Sequence, residues 1–218
     1  MAALDLEEQE QVAQIKAWWQ RYGNLVLSAV TLVCLVIAGI NLWNYYQRSQ
    51  SQAAAKVFEG LQKLAVGGDA KKVVEASKAL AEQYPRSPFA ALGSLIAARS
   101  AFDANDMPGA RAQLQWVIDN ARDDEYKHIA TVRLAGILLD QKDYDGALKL
   151  VATAPAGEQF AALYADRRGD ILFAQGKVAD ARTAWQDALA KSGPASTLRA
   201  AVEFKLDLAG GTPAPTKS

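Results

Sequence analysis

The sequence predicts an all-α protein in which one membrane-spanning helix near the N-terminus precedes a stack of helical hairpins closed by a final helix. Three observations predict it. Residues 25–42, LVLSAVTLVCLVIAGINL, contain no charge. Alanines at 76, 110, 147 and 181 are spaced by 34, 37 and 34 residues, and each stands four residues ahead of a bulky apolar side chain. Polar or glycine-containing turns divide each repeat, and prolines fall between repeats.

The first element expected is a short amphipathic helix within 1–23. Asp5 can cap it, Glu7 and Glu8 suit the positive end of its dipole, and Leu4, Val12, Ile15 and Trp19 can form an apolar stripe. The membrane helix follows over 24–46. At about 1.5 Å per residue the uncharged run covers roughly 27 Å, close to the hydrocarbon thickness of a bilayer. Trp18, Trp19 and Tyr22 flank it on one side and Trp43, Tyr45 and Tyr46 on the other, as rings favouring the headgroup level should. The run is longer than a signal-peptide core, and bulky rings occupy the place of small cleavage-site residues, so the anchor is expected to stay. Lys16 and Arg21 before the span balance Arg48 and Lys56 after it, so charge alone does not set orientation.

The remainder, 47–209, is long enough for a domain with its own core. Between Tyr46 and Val66 there is no proline and Gly60 is the sole glycine, so the membrane helix is expected to run on as the first helix of the array. In each repeat the alanine lets two helices approach, and Leu80, Leu114, Val151 or Trp185 four residues later fills the gap to the next pair. Ala98, Ala135 and Gly169 stand twelve residues before Ala110, Ala147 and Ala181, placing a small residue at each crossing. Turns are expected at 103–106, 140–143 and 175–177, and breaks at Pro88, Pro155 and Pro194. This is the period of a tetratricopeptide repeat, and Tyr84-Pro85-Arg86-Ser87-Pro88 resembles the way many bacterial examples close. About four hairpins result, with Ser196–Leu208 as the cap. The Gly- and Pro-rich 210–218 is expected to be a disordered tail.

Composition narrows the function classes. The 24 basic and 24 acidic residues balance, which argues against a nucleic-acid surface. Cys34, the only cysteine, lies inside the span, so the remaining domain has no thiol for catalysis, metal or a disulfide. His128 is the sole histidine, and no metal-ligand spacing, nucleophile elbow or phosphate-binding glycine loop is found. Neither cofactor nor metal is expected. Asp166 and Asp170 are four apart on one helix face, but no acid–base partner or closed pocket accompanies them, so an anchored hydrolase is the weak reading.

Binding is the stronger reading, because the first helix of each hairpin lines the concave face of such arrays. Repeat register puts Leu95, Arg99, Phe102, Ile129, Val132, Leu139, Leu163, Asp166, Asp170 and Phe173 on or near that face. Most are apolar, a surface suited to an extended or helical apolar segment and unlike a basic carboxylate clamp.

The segment Glu10-Gln11-Val12-Ala13-Gln14-Ile15-Lys16-Ala17-Trp18-Trp19-Gln20-Arg21-Tyr22-Gly23, followed by a single span and hairpin repeats, resembles the YfgM family. These are ancillary subunits of the bacterial SecYEG translocon. The resemblance implies a single-pass inner-membrane protein, N-terminus cytoplasmic and repeat domain periplasmic. It also implies association with SecYEG and a PpiD-like periplasmic chaperone, assistance to exported client proteins, and no enzyme activity. The alternative is a tetratricopeptide scaffold for another cell-envelope assembly complex.

Overall fold

The computed structural model describes residues 6–152 and 158–210. Among them are nine α-helices and no strand: α1 (Leu6–Val66), α2 (Ala70–Gln83), α3 (Pro88–Asp103), α4 (Met107–Asn120), α5 (Asp124–Asp140), α6 (Tyr144–Ala152), α7 (Glu158–Ala174), α8 (Val178–Lys191) and α9 (Thr197–Leu208). Asp5, Pro155 and the 211–218 tail lie outside the described residues. The chain divides into two units, Met1–Gln52 and Ala53–Ser218.

The first unit holds most of α1, of which Gln11–Trp43 is long and apolar enough to cross a membrane. Its leucines, valines and isoleucines are exposed along the stretch except Val26, which is half-buried. The Thr31 hydroxyl donates to the Leu27 carbonyl at 2.8 Å, so it carries no free donor into an apolar medium. Trp18 clusters with Trp19 and Tyr22, and the Trp19 ring lies over Gly23. The separate short helix expected before the span is not present: α1 passes through Gly23 unbroken. One glycine costs a helix only about 1 kcal/mol, too little to end it without a competing cap.

The second unit is an array of hairpins. Its first pairs the end of α1, from Ala53, with α2, where Ala54 and Leu61 share a core cluster with Val73 and Leu80; α3/α4, α5/α6 and α7/α8 follow, and α9 packs on the last. Four turns are built alike. The residue in left-handed conformation is Gly68, Asn105, Lys142 or Gly176, with φ of 77°, 62°, 62° and 79°. The residue after it starts the next helix. Asp69, Asp106 and Asp143 each cap theirs by accepting from the backbone N–H three residues on, whereas Lys177 at the fourth turn offers no such acceptor. Ser87 caps α3 and Pro88 is that helix's first residue, so this proline opens a helix where its missing N–H is harmless.

Counting five residues from each left-handed position gives the true register: Val73, Ala110, Ala147 and Ala181, all fully buried. Ala110, Ala147 and Ala181 therefore hold the expected place. Ala76 does not; it is only partly buried, and the equivalent position in the first repeat is Val73, three residues earlier. The reason is a reversal of sizes. Each hairpin has a residue on its first helix and one sixteen positions later on its second that are matched in size: Leu61 with Ser77, Ala98 with Leu114, Ala135 with Val151, and Gly169 with Trp185, the last in direct contact. Where one partner is large the other is small. All eight are buried, because close-packed interiors tolerate neither a void nor an overlap.

Gly169 shows the constraint at its tightest, since a Cβ there would run into the Trp185 indole. Leu61 similarly needs Gly93, where a Cβ would fall 3.2 Å from its Cδ1. At the first interface the small partner is polar. Ser77 donates to Gln113 Oε1 at 3.0 Å and lies 3.2 Å from the Ser94 hydroxyl, joining α2, α3 and α4 through three buried side chains.

Candidate functional site

The first helices of the second, third and fourth hairpins, α3, α5 and α7, carry the residues that register assigns to the inner face. The structure places them unequally. Arg99 and Phe102 from α3 line a cavity of about 460 Å³ together with Leu114, Arg133, Gly136, Ile137, Asp140 and Arg167. A second cavity of about 560 Å³ adjoins it and shares Arg99 and Arg133, with Leu95, Tyr126 and Ile129 in its wall. The two make one groove across α3 and α5, with Arg167 of α7 at its far end. Gly136 deepens it: a Cβ there would lie 3.5 Å from the Arg167 guanidinium, which occupies the space over bare backbone.

Other members of the set serve the core. Leu95 is buried, and Val132 and Leu139 pack against the cluster formed by Ala135, Leu138, Ala147, Val151, Tyr164 and Ile171. Leu163 is partly buried and lines neither cavity. Phe173 is 44% exposed, but its ring leans on Trp185 with centroids 5.5 Å apart.

Asp166 and Asp170 are occupied by the cap. Lys205 of α9 reaches both, at 2.6 and 2.7 Å, and Asp170 also accepts from the Trp185 indole N–H at 3.2 Å. Burial, and then the neighbouring Asp170 charge, raise the Asp166 pKa despite the Lys205 ammonium beside it. The helix-face spacing that suggested a carboxylate pair for chemistry thus forms a three-charge tie between α7 and α9. His128 is tied as well, hydrogen-bonded through Nδ1 to the Tyr164 hydroxyl at 3.1 Å and against the Phe160 ring. No group of three or more His, Cys, Asp or Glu residues among those described is arranged to hold a metal ion.

Register reasoning left out Arg133 and Arg167, and with them the groove's charge. Arginines among apolar residues on a helix read as a solvated face. The available signal was that both stand two residues before the small crossing residue, Ala135 and Gly169, and so project from equivalent places on consecutive hairpins. Their partners differ. Arg99 is paired with Asp103 at 2.8 Å in the open, and Arg167 reaches Asp170 only at 3.5 Å while its Nε is buried without a partner. Arg133 has no hydrogen-bond or ion-pair partner among the described residues, and burial followed by the Arg99 charge lowers its pKa.

A stack of helical hairpins with a lined inner groove, carried on a chain with one long apolar helix, defines a tetratricopeptide-type protein with a bilayer-length segment. The family described as tetratricopeptide repeat-like domain matches residues 16–211. The chain belongs to that family and, within it, to the group of ancillary SecYEG translocon subunits, the YfgM family. A protein of that name from Neisseria gonorrhoeae is 32% identical over 94% of this chain and 98% of its own length. Those from Escherichia coli K12 and Haemophilus influenzae are 30% and 26% identical, over 82% and 85% of this chain and 85% and 90% of theirs. No solved structure matches the chain.

Proposed function

We propose that this protein is a non-catalytic adapter of the SecYEG translocon. Its 24–46 segment anchors it in the bacterial inner membrane, residues 1–23 stand in the cytoplasm, and 47–209 form the periplasmic array. The array's groove receives a segment of a PpiD-like chaperone or of an exported chain leaving the channel. One observation carries the reading: a relative named as a translocon subunit is matched over 94% of this chain and 98% of its own length, a span that takes in the apolar helix and the hairpin array together. The geometry supports it, since the inner face offers an open groove of mixed apolar and basic lining while Asp166 and Asp170 are engaged by Lys205.

Affinity purification of the tagged full chain from membranes solubilised in mild detergent tests it. Translocon components should co-purify, and a chaperone with them. Their absence under conditions that keep other weak membrane complexes intact overturns the proposal.

A further inference from the structure

We propose that the groove between α3, α5 and α7 is a receptor for an acidic side chain within a bound polypeptide segment, gripped by Arg133 and Arg167 with its apolar neighbours laid on Phe102 and Ile137. The inference rests on the protein-binding reading above and adds the chemistry of what is bound.

Charge complementarity carries it. Of the ionisable groups around the 460 Å³ cavity, three are arginines and one, Asp140, is a carboxylate, so the lining holds a formal charge of +2 in a chain whose net charge is zero. The three arginines are not equally available. Arg99 is matched by Asp103, whereas Arg167 holds Asp170 only at the limit of contact and keeps a buried Nε with nothing to donate to. Arg133 has no partner at all among the described residues. The Arg167 Nε is a buried donor left unmatched, which is costly, while the solvent-exposed Arg133 guanidinium is free to turn to a ligand, and a planar carboxylate satisfies two guanidinium N–H groups at once. Gly136 leaves room for that approach, because a larger residue would occupy the floor on which Arg167 rests. Ala98, Phe102, Leu114 and Ile137 supply the apolar remainder of the wall.

The test uses the full chain in detergent micelles and fluorescence anisotropy with a labelled, C-terminally amidated peptide carrying one glutamate between phenylalanine and leucine. A glutamine twin and a free-acid glutamine peptide complete the set. The glutamate peptide should bind about tenfold more tightly than its twin, the size expected for a charge-assisted contact. Arg133→Gln should erase that preference with helix content unchanged, and Arg133→Lys should restore part of it. Equal affinities for the twins, a preference that survives Arg133→Gln, or a preference that follows the free C-terminus instead of the glutamate would each overturn the inference. Co-purification of the translocon with the wild-type chain separates the two proposals: if it occurs while that same chain binds the twin peptides equally, the adapter reading stands and the carboxylate reading falls.

Discussion

Gly169→Ala is expected to destabilise the array by about 2 kcal/mol, although alanine is the better helix former. The added Cβ falls against the Trp185 indole, which is 3% exposed, donates to Asp170 at 3.2 Å and lies tilted against Phe173, so the ring has nowhere to move. Overpacking of this kind costs about 1–3 kcal/mol, and the contact places it at the upper end. The helix-propensity gain of about 1 kcal/mol offsets part of it. In a Trp185→Leu background the clash is absent, and the hairpin then has the alanine–leucine pair that Ala98 and Leu114 form naturally. There Gly169→Ala should stabilise by up to about 1 kcal/mol. The coupling in the double-mutant cycle is therefore about 3 kcal/mol, the difference between the two backgrounds. Thermal unfolding of the full chain in detergent, followed by far-UV circular dichroism, reads it as a reversal in the sign of the Tm change, at about 2–4 °C per kcal/mol for a domain of this size. Equal Tm losses in both backgrounds would refute the claim that the two positions share one fixed volume.

Lys142→Gly removes a side chain from a left-handed backbone position and should raise stability by up to about 1 kcal/mol in the same assay. Ser77→Ala strands Gln113 Oε1 and the Ser94 hydroxyl in a buried interface and should cost about 1–3 kcal/mol, measurable by urea titration. The raised Asp166 pKa means that the folded state holds this proton more tightly than the unfolded chain. Its contribution is present below the ordinary carboxylate range and is lost as pH rises through the folded value. The Tm difference between Asp166→Asn and wild type should accordingly shift in favour of the variant as pH climbs from acid through that range, and an opposite trend would deny the burial argument. Phe102→Glu should weaken peptide capture in the groove while leaving helix content unchanged, as circular dichroism would show.

Three of the four hairpins were legible because their roles follow a sequence rule: small on the first helix, alanine after the turn, large four residues on. The first hairpin reverses the sizes. Leu61 occupies the crossing from the α1 side, Ser77 yields to it, and a search for alanine followed by a bulky residue settles on Ala76 and Leu80 instead. The groove was half legible for a different reason. Apolar periodicity reports which face of a helix is turned inward, and Phe102 and Ile129 follow from it, but it cannot separate groove wall from core, as Leu95, Val132 and Leu139 show. Nor does local spacing reveal partners brought in by the fold. Asp166 and Asp170 meet Lys205 across thirty-nine and thirty-five residues of sequence, so the pair looked unclaimed until α9 was in place.

The Ser77–Ser94–Gln113 trio gives the first inter-hairpin joint a property the aliphatic joints lack. Leucine, valine and alanine surfaces attract one another in many alignments of similar energy, so such joints are held to one setting by fit alone. Sliding the first joint by a single helical turn would leave two hydroxyls and an amide facing hydrocarbon, a penalty that no rearrangement of greasy neighbours could recover. That seam has a single alignment, and a library of shuffled hairpins drawn from this chain should assemble in the native order only where that keyed seam is retained.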